Sequence, residues 1–372
     1  MNLSGRVIHR MWLAEPPTTR REGYGSLSIS AGDASLFFKI LIAAVAIIGV
    51  AGAACAADIS GAGATFPFPI YAKWGDAYKK ETGNGLNYES IGSGAGIKEI
   101  RANTVTFGAT DAPLTAAELE KDGLAQWPMV MGGIVIVVNM PGVKPGDLVL
   151  DGQTVADIYM GKITKWNDPA IKKLNPKVDL PDLAIAIIHR ADGSGTTFNF
   201  TNYLSKISPE WKTKIGEATI VEWPLGIGAQ GNDGVADNVA KILGAIGYVE
   251  FAYAVETKLS YASMVNKAGK TVAPTMESFQ AAAANADWAK APGFYLILSD
   301  QPGDKSWPVT AATFILMYKK PVNVAASNDA LQFFKWAYEN GDKMAQELDY
   351  IPMPNTVVGM VERMWASDIE QK

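Results

Sequence analysis

Apolar positions along this chain alternate between two periods, short β-branched runs and longer stretches spaced for one helix face, which is how an α/β protein reads. From Asp58 onward, Ile59-Ser-Gly-Ala-Gly-Ala-Thr65 reads as a short strand and turn. Pro67 to Lys80 reads as an amphipathic helix, with Pro67 and Pro69 tolerated in its first turn. Leu86 to Ile91 is a second strand, Ile97 to Asn103 a helix, and Val105 to Thr110 a third strand that delivers Asp111. Gly132-Gly-Ile-Val-Ile-Val-Val-Asn139 is an uninterrupted apolar strand of the kind buried on both faces, and Thr313 to Tyr318 is its best match in character. Leu183 to Ile188 predicts another buried strand, followed by a glycine-rich turn and a helix through Phe198 to Leu204. Gly226 to Gly234 is glycine-rich and opens a helix from Val235 to Leu243, after which Ile246 to Tyr253 reads as an aromatic strand. Ala330 to Glu339 and Val357 to Trp365 are helical. Tyr71, Trp74, Tyr78, Trp336 and Tyr338 fall at helical spacing and are expected in the core.

Two long apolar strands flanking a large insert imply two crossings between lobes. We place the boundaries near 132 and 309, so that residues 58–132 plus 310–372 form one lobe and residues 133–309 the other. Residues 1–57 are set apart as an export signal region that is cleaved. Leu36 to Val50 is a short apolar core, and Ala54-Cys55-Ala56 satisfies the small-x-small cleavage rule. The signal is preferred to a retained membrane anchor. Cys55 is the alternative point of lipid attachment, although Gly52-Ala53-Ala54 lacks the usual aliphatic lead-in. Arg20-Arg21 lies too far from the apolar core to act as a twin-arginine signal.

Composition narrows the chemistry. The 372 residues are 48% hydrophobic and 19% charged, with a formal net charge of −5. Setting aside five basic and three acidic residues in 1–57 moves that charge to −7 and leaves His189 as the single histidine and no cysteine. A disulfide framework, a thiolate metal site, a cysteine nucleophile and a multi-histidine zinc site are therefore excluded from 58–372. No metal and no cofactor is expected. A net-acidic chain has no basic field for nucleic acid, and any anion site must work through local donors.

Such donors concentrate in Arg190-Ala-Asp-Gly-Ser-Gly-Thr-Thr197. Ser194, Gly195 and Thr196 fall in a first helical turn, where unpaired N–H groups point outward and the dipole adds positive charge. Arg190 adds a full charge at the strand end. Read alone, the stretch is also what a capped connector looks like. Two similar junctions, Ala64-Thr65-Phe66 and Gly92-Ser93-Gly94, strengthen the anion reading, because such junctions gather at the carboxyl ends of strands. Asp111 would repel a bare anion but can accept a hydrogen bond from one that carries a proton, which admits phosphate and rejects sulfate. The competing role for Asp111 is pairing with an arginine or capping the turn at Pro113. Asp192 is expected to orient the Arg190 guanidinium, and His189 to be structural. No G-x-S-x-G elbow surrounds Ser93 or Ser194, and no G-x-x-x-x-G-K-[ST] loop is present, so no catalytic residues are assigned. The competing class is a secreted phosphoester hydrolase built on the same cradle.

Gly61-Ala-Gly-Ala-Thr-Phe-Pro67, Gly92-Ser-Gly94, Phe107-Gly-Ala-Thr-Asp-Ala-Pro113, Arg190-Ala-Asp-Gly-Ser-Gly-Thr196, Gly231-Asn-Asp-Gly234 and Gly244-Ala-Ile-Gly-Tyr-Val249 together resemble the periplasmic phosphate-binding proteins of bacterial phosphate ABC transporters. The resemblance implies a two-lobed type II periplasmic-binding-protein fold, each lobe a mixed sheet flanked by helices, with the ligand cleft at the hinge. It implies phosphate held by Ala64, Thr65, Phe66, Ser93, Ser194, Gly195 and Thr196, with Arg190 as the contacting arginine. Asp111 is then similar to the family's acceptor of the phosphate proton, and Asp192 to the partner of the arginine. His189, where the family commonly has arginine, and Gly94-Ala95 depart from the pattern without removing a ligand group. The resemblance further implies a monomeric, non-enzymatic receptor in the periplasm. Its partners would be inorganic phosphate and the membrane permease subunits.

Overall fold

The computed structural model describes residues 59–372; the proposed export signal in residues 1–57, with Cys55, lies outside the described residues. The chain runs β1 (Ile59–Gly63), α1 (Phe68–Thr82), β2 (Leu86–Ser90), α2 (Ser93–Arg101), β3 (Phe107–Thr110) and β4 (Leu124–Val138). After further short elements come β5 (Ala186–Arg190), α3 (Gly195–Ile207), β6 (Ile227–Ala229), α4 (Gly231–Lys241), β7 (Ala245–Glu250) and α5 (Phe251–Glu256). β8 (Thr310–Tyr318), α6 (Val324–Asn340) and α7 (Asn355–Asp368) close it. Among these, α1 shows the local logic plainly. Proline occupies its first turn, Tyr71, Trp74 and Tyr78 line its buried face, and Gly83 at φ 84° ends it in the left-handed conformation.

One ten-stranded sheet orders the main strands β2-β1-β3-β8-β4-β7-β5-β6. β4 is its spine: all 15 of its residues are buried, which its unbroken apolar character requires. Register decides where ligand-facing groups gather. β1, β2 and β3 are parallel to one another, whereas β8 is antiparallel to both β3 and β4. β7 is antiparallel to β4, and β5 is parallel to β7 and to β6. The strands β1–β3 therefore run with β4, and β5–β7 run against it. Thr110, ending β3, aligns through Phe314 with Pro128, while Glu250, ending β7, lies opposite Ile134. Both sets of carboxyl ends thus converge on the middle of β4, where open α/β sheets bind ligands. β4 pairs with β8 as far as Gly133 and with β7 from Ile134. Gly132-Gly133 at this handover are required by close approach. A Cβ on Gly133 would stand 2.1 Å from the Phe279 ring, and one on Gly132 would press Phe66, Glu250 and Tyr350.

The sequence-based boundaries need three corrections. The apolar run Gly132–Asn139 is the second half of a strand that begins at Leu124. Its first half contains Pro128, which has no N–H for the ladder, and the register against β8 slips between Thr313 and Phe314 at that point. The strand expected over Leu183–Ile188 starts at Ala186; the preceding residues instead bond to the segment Thr164–Trp166. The aromatic strand expected to reach Tyr253 stops at Glu250, whose side chain accepts the Ala252 N–H and caps α5.

Candidate functional site

Three junctions and one lone carboxylate meet at the middle of β4. The β1–α1 turn supplies Ala64, Thr65 and Phe66, the start of α2 supplies Ser93, and the residue after β3 is Asp111; all five are buried. From the other half of the sheet, β5 ends in Arg190, Ser194 is the N-cap of α3, and Gly195 and Thr196 form its first turn. The structure brings Ser93, Asp111 and Gly195 into direct contact. Ser93 Oγ accepts the Gly195 N–H at 3.0 Å and the Asp111 N–H at 3.2 Å, and its own proton points to Asp111 Oδ2 at 3.4 Å. The Gly94 N–H donates to Gly193 O at 2.8 Å, tying the α2 start to the α3 turn.

Why the sequence permits this is visible in its glycines. Gly92, at φ 93°, already adopts a backbone that a Cβ would strain, and that Cβ would stand 2.3 Å from Asp192 Oδ2. A Cβ on Gly195 would lie 2.5 Å from Ser93 Oγ and 2.6 Å from Asp111 Oδ2. Ser194 Oγ accepts the Thr197 N–H at 3.0 Å as a helix cap, which leaves its hydroxyl proton available. The Ala64 N–H is committed to Ala109 O at 2.9 Å.

Arg190 is 3% exposed. Its Nε donates to Asp192 Oδ1 at 2.7 Å and its Nη2 to Asp192 Oδ2, a fork-to-carboxylate pair that fixes the guanidinium plane. Its Nη1 then points at Thr196 Oγ1, 3.3 Å away. Asp192 also accepts the Gly231 N–H at 3.1 Å. Asp192 thus fixes the orientation of the Arg190 guanidinium. His189 stacks on Trp223 at 4.9 Å and its Nδ1 lies 3.0 Å from Arg190 O; burial lowers its pKa, which keeps the ring neutral.

Asp111 is the anomaly. Burial pushes its pKa up to about 7, against the downward pull of the nearby Thr313 hydroxyl, the Arg190 charge and Ser93. Thr313 Oγ1 and Asp111 Oδ1 are both buried without a hydrogen-bond partner. A buried acceptor without a donor is an incomplete arrangement.

Sequence reasoning missed Asn232. It lies in the first turn of α4, is fully buried, and donates from Nδ2 to Thr65 Oγ1 at 2.7 Å and to Thr196 Oγ1 at 3.2 Å. Its Oδ1 accepts the Glu250 N–H at 3.0 Å, which fixes which way the amide faces. The signal was present in Gly231-Asn-Asp-Gly234, but an asparagine opening a helix is also an ordinary cap. Also missed were Tyr253 and Tyr350, whose hydroxyls donate to Thr65 O and Phe66 O, each at 2.6 Å. A cavity of about 920 Å³ is lined by Phe68, Lys73, Asp233, Asp237, Glu256 and Asp349 among others and includes none of the cradle donors.

Residues 49–340 match the family model described as a PBP superfamily domain. The chain is 53% identical over 312 residues to the phosphate-binding protein PstS of Xylella fastidiosa strain Temecula1, covering 84% of this chain and 86% of that protein. It is 50% identical over 327 residues to PstS of Haemophilus influenzae, covering 88% and 98%. Among solved structures, the phosphate-binding protein of Stenotrophomonas maltophilia superposes with a TM-score of 0.60 at 20% identity, covering 83% of this chain and 94% of that one.

Proposed function

We propose, for a chain that belongs to the PBP superfamily and within it to the PstS phosphate-binding proteins, that it captures inorganic phosphate with high affinity outside the cytoplasmic membrane. It then delivers the ion to an ABC permease for import. What supports this is a buried cluster in which Ser93 bonds both Gly195 and Asp111, Arg190 bonds Thr196, and one Asp111 oxygen has no partner. Phosphate oxygens replace the contacts these donors now make with one another. The ligand set is Thr65, Phe66, Ser93, Asp111, Arg190, Ser194, Gly195 and Thr196, with Ala64 backing the first turn and Asp192 holding Arg190. A charge-assisted hydrogen bond contributes about 1.5–3 kcal/mol net, and micromolar affinity needs about 8 kcal/mol. Several aligned donors therefore suffice after the cost of closing.

Residues 58–132 with 310–372 act as one lobe and 133–309 as the other, hinged where β4 passes from β8 to β7. Contacts made by both lobes with one ion favour the closed state. The protein works as a monomeric receptor, exported to the periplasm, with lipid attachment at Cys55 as the alternative tether. Calorimetry of purified residues 58–372 with phosphate and sulfate tests the reading. Phosphate binds and sulfate fails to compete at pH 8, above the value of about 7 to which burial raises Asp111; comparable affinities there would remove Asp111 from its role. Release of phosphate from a chromogenic ester would instead mark a hydrolase.

A further inference from the structure

Glu250 is the other buried carboxyl at the middle of β4, and its surroundings count protons. It is fully buried at the end of β7, opposite Ile134. Its Oε2 accepts the Ala252 N–H at 2.8 Å and lies 2.8 Å from the Tyr350 hydroxyl oxygen; its Oε1 has no partner. That Tyr350 oxygen also lies 2.6 Å from Phe66 O. A carbonyl only accepts, and a phenol has one proton. Once Tyr350 gives that proton to Phe66 O, the contact with Glu250 needs a proton of its own, and only Glu250 can supply it. Glu250 is in no ion pair among the described residues. The titratable groups facing it are Tyr350 and Asp349 from the segment before Ile351 and Tyr253 from α5. None of these can balance a negative charge.

We propose that Glu250 is a neutral carboxylic acid in the folded protein, with or without a guest, and that its O–H, relayed through Tyr350 to Phe66 O, is a positioning latch holding the Thr65–Phe66 turn against β7. Burial, the largest influence on it, raises its pKa well above the ordinary carboxyl value. The Glu250 N–H holds Asn232, which in turn holds Thr65 and Thr196. One residue thus fastens the first turn of the cradle through its side chain and the hydroxyls through its backbone. Since the folded pKa is raised, the latch is intact below that pKa and lost as pH rises through it.

The affinity part of this proposal rests on the phosphate reading; the protonation part does not. Infrared difference spectra of ligand-free wild type minus Glu250→Gln at neutral pH should show a protonated-carboxyl C=O band that shifts in D2O. A difference confined to carboxylate bands would overturn the proposal whatever the protein binds. In Glu250→Gln the amide can donate to Tyr350 as the acid does, so calorimetry should give a phosphate affinity within about threefold of wild type. Tyr350→Phe should weaken it roughly tenfold, because Phe66 O loses its donor. Equal tenfold losses in Gln and Phe variants, both folded by circular dichroism, would show that the charge rather than the proton matters and would refute the latch. No phosphate binding by wild type, with the infrared band present, would sink the functional reading alone.

Discussion

Asn232→Asp is a change of one atom that should separate folding from capture. The Asn232 Oδ1 accepts the buried Glu250 N–H at 3.0 Å, and a carboxylate retains that acceptor. Nδ2 behaves differently. It donates to Thr65 Oγ1 at 2.7 Å and Thr196 Oγ1 at 3.2 Å, so both hydroxyls accept and keep their own protons to offer. An Asp oxygen in that place can only accept. Both hydroxyls would turn to donate to it, and each would be withdrawn from an anionic guest. Losing two hydrogen bonds to a charged group, at about 1.5–3 kcal/mol each, amounts to roughly 3–6 kcal/mol. At 1.4 kcal/mol per decade that is about two to four orders of magnitude in Kd. Asn232→Ala should instead orphan the Glu250 N–H and cost about 1–3 kcal/mol of stability. Isothermal calorimetry with phosphate and urea denaturation, run on both variants, read the two effects separately. A folded Asn232→Asp protein that binds phosphate within tenfold of wild type would refute the claim that Asn232 sets the direction of these hydroxyls.

Sulfate competition should depend on pH with a definite sign. With Asp111 raised to about 7 by burial, the group takes up a proton below that value, ceases to repel and offers a donor. Sulfate should therefore begin to displace phosphate as pH falls through about 7, and Asp111→Asn should lose this dependence; competition assays that are flat with pH in wild type would contradict it. Asp192→Asn leaves the Arg190 charge buried with half its partner gone, which should cost about 3–5 kcal/mol in chemical denaturation. An unchanged urea midpoint would show that the guanidinium finds water instead. Gly133→Ala drives a methyl into the Phe279 ring and should destabilise by about 1–3 kcal/mol, read as a lower midpoint at constant slope.

The cradle was readable in sequence because its parts are local: a strand end, a small residue and a hydroxyl within three positions, three times over, with Arg190 and Asp192 two residues apart. Their assembly was not local, and the sequence could not supply the register that brings Thr110 and Glu250 to opposite ends of one short stretch of β4. Pro128 hid the first half of that strand, because the signal that usually ends a ladder here marks a slip within one. Glu250 was hidden for the opposite reason. A charged residue at the end of an apolar run reads as the place where the chain meets solvent, and only the fold encloses it. Asn232, Glu250 and Tyr350 share this character: each serves the site by holding another residue, so none carries a motif of its own. A site built from buried groups keeps most of its donors and acceptors bonded to one another. Here Ser93 and Thr65 do so by bonding across the two halves of the sheet, and Thr196 by bonding to Asn232 within its own half. A guest anion must therefore exchange contacts rather than add them. On the proposed reading, binding energy would come from the difference between a neutral and a charge-assisted bond at each donor, and selectivity from Asp111 Oδ1, a buried acceptor without a partner.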